Sequence, residues 1–104
     1  MVAITKEIVE EFKNLYVKEM GLGVESDETI KKILKTAYVY IQEQTDEFDI
    51  NKEETGKQLV FDRARYVRAN ASEMFYDNYL ADMNGFGLKL AMERDTNDTT
   101  QVDS

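Results

Sequence analysis

Cysteine, histidine, proline and tryptophan are all absent from this chain of 104 residues. Without cysteine there is no disulfide framework, no thiolate nucleophile and no cysteine-based zinc or iron–sulfur site. Without histidine the commonest general acid/base and the commonest transition-metal ligand are missing, so an enzyme here would have to work with carboxylates, Lys, Tyr or Ser. The expectation is a protein that is not an enzyme and holds no cofactor and no metal. Residues 1–6 lack a basic flank leading into an apolar run, and no stretch approaches the roughly 20 apolar residues of a membrane span. These features predict a soluble intracellular chain with no membrane partner.

What is present is charge, mostly negative. Lys and Arg number 13 against 21 Asp and Glu, a net charge of −8, with 33% charged and 42% hydrophobic residues. Leu, Ile, Val and Phe make up roughly a quarter of the chain, above the roughly one fifth below which a highly charged chain stays disordered. The length suits one small folding unit.

Helical periodicity accounts for most of the pattern. Ile8, Val9, Phe12, Leu15 and Tyr16 line one face of a first helix, predicted from Lys6 to Glu19 or Met20. Thr5 suits its N-cap, with Ile4 and Val9 placed as a hydrophobic staple, and Gly21 and Gly23 suit its end. Ser26 or Asp27 caps a second helix with a stripe of Ile30, Ile33, Leu34, Ala37 and Ile41, ending near Gln44. Residues 45–50 read as an acidic loop whose Phe48 and Ile50 tuck onto the core. Asn51 and Glu54 have the form of a capping box, which predicts a third helix from Lys52 to about Ala81, roughly 45 Å long. A domain of this size has a radius of gyration of only about 13 Å, so such a helix overhangs its bundle.

Beyond Asp82 the spacing changes. Phe86, Leu88, Leu90 and Met92 alternate with Gly87, Lys89, Ala91 and Glu93, the period-two signal of a strand with one apolar face, although the same residues are good helix formers. The expected fold is therefore all-α: a small antiparallel bundle of three main helices over residues 1–82, the third long. An extended C-terminal arm over residues 83–104, strand or fourth helix, follows it and ends in a polar, disordered tail from Asp95.

Several local patterns lead nowhere. A calcium loop framed at Asp49 puts Glu54 where the turn requires Gly and Val60 where the bidentate Glu belongs. Gly21, Gly23 and Ser26 lack the preceding strand of a phosphate loop. Arg63, Arg65 and Arg68 cluster within an acidic chain, and two uses compete: pairing with carboxylates of the first helix or the acidic loop, or contact with another protein. Net charge −8 provides no long-range attraction for nucleic acid.

The second helix, Glu28 to Gln44, begins with an acidic cap and is followed by an acidic loop. A longer helix then carries Ala-Ser-Glu-Met-Phe-Tyr-Asp-Asn-Tyr from Ala71 to Tyr79. In this layout, over roughly Thr5 to Tyr79, the chain resembles the head-tail connector, or adaptor, proteins of long-tailed double-stranded DNA bacteriophages and prophages. Tyr76-Asp77-Asn78-Tyr79 departs from that family's Tyr-Glu-Asn-Arg in replacing the Arg. The resemblance implies a virion protein at the head-tail interface, assembled in the host cytoplasm as a ring of identical subunits, usually a dodecamer, beneath the portal protein. Such a ring extends the DNA channel and docks the stopper or tail-completion protein. DNA passes through its lumen without specific binding, as like-charge repulsion favours. Arg63, Arg65, Arg68, Phe86, Leu88, Leu90 and Met92 are the expected partner-binding residues. A small acidic helical regulatory protein binding one protein partner is the competing reading.

Overall fold

A computed structural model describes residues 3–20 and 26–103, and it is all-helical. Among the described residues four helices follow one another: α1 Lys6–Met20, α2 Asp27–Gln44, α3 Glu54–Arg68 and α4 Ser72–Asp103. Thr5 caps α1, its hydroxyl accepting from the Ile8 amide at 3.3 Å, and Ile4 and Val9 are both buried as a staple requires. Ser26 caps α2, its Oγ accepting from the Thr29 amide at 3.2 Å, with Asp27 and Glu28 in the first turn, where the helix dipole favours negative charge. Gly21 and Gly23 lie outside the described residues.

The predicted loop is held by one side chain. Tyr38, buried on α2, donates its hydroxyl proton to the Phe48 carbonyl and accepts from the Ile50 amide at 3.3 Å. Its ring meets Phe48 edge-on at 5.2 Å. Phe48 and Ile50 are buried, as their place in the sequence suggests. The capping box at Asn51 does not form. Asp49 makes the turn instead, its carboxylate accepting from the Asn51 amide at 2.8 Å and its carbonyl from the Lys52 and Glu53 amides. α3 therefore starts at Glu54, two residues later than predicted.

The expected long third helix is two helices. After Arg68 the Asn70 amide bonds the Val67 carbonyl at 3.0 Å and the Ala71 amide bonds the Tyr66 carbonyl at 2.8 Å, with Asn70 left-handed at φ 59°. This is a Schellman ending with Asn in the place that usually holds Gly. The break resets the helical phase, so that Met74 is exposed while Phe75 is fully buried.

The extended arm is corrected as well. Residues 83–94 are turns of α4, and of the two options for this segment the helix forms. It forms because Met83, Phe86 and Leu90, at spacings of three and four, reach the core together. Residues 95–103 continue the helical backbone where composition predicts disorder, since adding turns to a helix already nucleated fixes one residue per hydrogen bond.

α2 packs along α3, α4 lies on α3 and α2, and α1 covers α2. Edge-on rings tie α1 to α3, Phe12 to Phe61 at 5.3 Å, and the Lys57 ammonium bonds the Glu11 carboxylate at 2.9 Å. At about 1.5 Å per residue α4 is close to 48 Å long, nearly the longest dimension of a molecule measuring 55 × 29 × 18 Å.

Candidate functional site

The three arginines lie on α3, and two of them are engaged with aromatic rings of their own chain. Arg63 sets its guanidinium 3.8 Å from the centre of the Tyr40 ring and 5.4 Å from that of Phe75, and donates to the Ser72 carbonyl at 3.0 Å. It joins α2, α3 and the start of α4. Arg65 lies 4.6 Å from the Tyr16 ring and 3.4 Å from the Asp62 carboxylate. Arg68 is half-buried in the last turn of α3. For Arg63 and Arg65 these ring contacts are favourable, because a guanidinium is weakly hydrated and attracted by the ring quadrupole.

The four apolar residues of the former arm divide between two sides of α4. Phe86 is 2% exposed and Leu90 5%, whereas Leu88 is 62% and Met92 59% exposed. Phe86 meets Phe48 edge-on at 5.0 Å and presses on the backbone of Gly56 in α3. The acidic loop and the start of α3 hold the same segment by charge. Lys89 bonds Glu53 at 2.8 Å, and Arg94 bonds the Asp46 carboxylate at 2.8 Å and the Glu47 carbonyl at 3.3 Å. The Glu53 hydrogen bond, followed by its negative charge, raises the Lys89 ammonium above its ordinary range.

The structure therefore brings Phe86 and Leu90 together in the core, Arg63 beside them in function as an internal clamp, and Leu88 and Met92 onto the outward side of α4. A shallow groove there is lined by Gly85, Leu88, Lys89, Met92 and Glu93. Gly85 and Ala81 belong to this face and were not singled out by the sequence reading. Their signal is the spacing of four, three and four through Ala81, Gly85, Leu88 and Met92. Lys89 and Arg94 as anchors carry no signal in the sequence, because their partners lie more than 30 residues away.

A second groove on α1, lined by Lys6, Glu7, Glu10, Glu11, Asn14 and Leu15, is predominantly acidic. Among the described residues no group of three or more Asp and Glu is placed to hold a metal ion, and no helix is long and apolar enough to cross a membrane. No family model, no curated protein and no solved structure matches the chain.

Proposed function

We propose that this chain is a structural subunit of a bacteriophage head-tail connector. It assembles as a ring of identical subunits beneath the portal protein, extends the DNA channel and docks the stopper or tail-completion protein. The observation that carries this reading is α4: a helix nearly as long as the molecule, anchored on one side by Phe86, Leu90, Lys89 and Arg94 while Leu88 and Met92 face outward. An anchored helix with a second apolar side is suited to rigid contact with another protein. The net charge of −8 suits a channel subunit past which DNA slides without sticking. The sequence resemblance from Thr5 to Tyr79 supplies the identity of the assembly. Arg63, Phe86 and Leu90 serve this function by holding α4 in place, and Leu88 and Met92 by touching the portal or the neighbouring subunit.

Electron microscopy of a lysate whose phage or prophage lacks this gene tests the reading. Separate tails beside heads that fail to retain DNA are expected. Intact virions would leave the regulatory reading in its place.

A further inference from the structure

We infer that the outward face of α4 pairs with the same face of a second copy of this chain, the two helices running antiparallel. Three features of the face point to it. First, Ala81, Gly85, Leu88 and Met92 follow one another at the four-three-four spacing of a coiled-coil seam, and all four are exposed. This seam is separate from the buried one of Phe75, Met83, Phe86 and Leu90, so α4 has two apolar sides, one buried and one exposed.

Second, Gly85 has no purpose within the folded chain. A Cβ built there meets nothing within 4 Å, its backbone is plain α-helix, and Gly inside a helix is less stable than Ala. A missing side chain in the middle of an exposed apolar seam leaves a hole, and holes of this kind allow close approach from outside.

Third, the face is complementary to itself in one register. In an antiparallel pair that sets Leu88 over Gly85 of the second copy, Met92 falls over Ala81 of the second copy, and the two-fold axis repeats both contacts. Each large side chain meets a small one. In the same register Asp82 and Lys89, one heptad apart on one flank of the seam and both exposed, stand opposite Lys89 and Asp82 of the second copy, so the flanking residues are opposite in sign; Lys89, which bonds Glu53 and Glu93 of its own chain, would share its charge with them. A parallel pair would set Gly85 on Gly85 and Leu88 on Leu88, small on small and large on large, and would bring Lys89 to Asn84 of the second copy rather than to Asp82. The contact is isologous, unlike the heterologous contacts of a ring, and a pairing of about three turns belongs with the weak interfaces below roughly 1,200 Å². It is a property of the purified chain and does not rest on the connector reading.

The absence of cysteine makes the register directly measurable. Under mild oxidation the double variant A81C/M92C is expected to form a covalent dimer, while A81C alone and M92C alone do not. Within one helix these positions are 11 residues, about 16 Å, apart, too far for an internal disulfide. Sedimentation of the unmodified chain is expected to show a dimer growing with concentration towards the millimolar range. Leu88→Asp, at an exposed site, should abolish that dimer with an unchanged circular dichroism spectrum. A chain that stays monomeric at millimolar concentration, a dimer indifferent to Leu88→Asp, or cross-linking by A81C alone as strong as by the pair would each overturn the inference.

Discussion

At Gly56 a Cβ would stand 2.7 Å from Phe86 Cζ and closer still to the Phe48 ring, so the two aromatic side chains rest directly on the backbone of α3. At Gly85 a Cβ meets nothing. The same substitution should therefore have opposite effects. Gly56→Ala is expected to destabilise the chain by about 1–3 kcal/mol, because overpacking outweighs the gain in helix propensity. Gly85→Ala should stabilise it by about 1 kcal/mol, the propensity alone. Urea denaturation of both at low chain concentration checks the pair, and equal shifts would contradict this account of Gly56. From sequence the two look alike, since each is a lone Gly in a helical pattern and only tertiary contact separates them.

At the scale of the element, the break between α3 and α4 depends on Asn70, which holds φ 59° without being Gly. Asn tolerates the left-handed region better than other residues with a Cβ, and a β-branched residue tolerates it poorly. Asn70→Gly should raise stability by about 0.5–1 kcal/mol and Asn70→Val should lower it by about 1–2 kcal/mol, read from thermal unfolding. A stabilising Val would mean that the chain prefers to run through as one helix.

The sequence pattern supported that continuous helix because residues 69–71 contain neither Pro nor Gly, and the apolar spacing from Leu59 to Phe75 is tolerably helical across the break. The caps at Thr5 and Ser26 were legible because an N-cap is a local hydrogen bond written in adjacent residues. The strand-like spacing beyond Asp82 has a physical reason. A helix turns about 200° in two residues, so two apolar stripes on opposite sides produce an apolar residue at every second position. Phe86 and Leu90 belong to one stripe, Leu88 and Met92 to the other, and together they imitate a strand. The resulting candidate list mixed anchors with outward residues, which burial alone divides.

For the whole molecule, Tyr38, Lys57 and Tyr79 couple their protonation to folding on the alkaline side. Burial, then the neighbouring Asp62 carboxylate, pushes the Tyr79 hydroxyl from 10.0 up to about 12, and burial raises Tyr38 as well. Lys57 is raised by its hydrogen bonds to Glu11 and Glu54. Each of these groups binds its proton more tightly when folded. The contribution of Tyr79 is therefore complete below pH 10 and is lost as pH rises through about 12, and those of Tyr38 and Lys57 are likewise lost towards high pH. Tyr79→Phe should flatten the fall in stability over that window, as measured by urea midpoints at a series of pH values. A curve unchanged by the substitution would remove Tyr79 from the linkage.

The claim on which the account turns is that α4 is anchored by one side so that the other can join an assembly. Leu90 lies in the core, so an acidic residue there would unfold the bundle and prove nothing, whereas Leu88 and Met92 can be changed with the fold intact. The most direct measurement returns a Leu88→Asp/Met92→Asp allele to a phage or prophage lacking the gene and counts joined particles by electron microscopy. With the variant chain folded by circular dichroism, the account predicts heads and tails left apart. Joined, DNA-filled virions at the level given by the unaltered allele would contradict it.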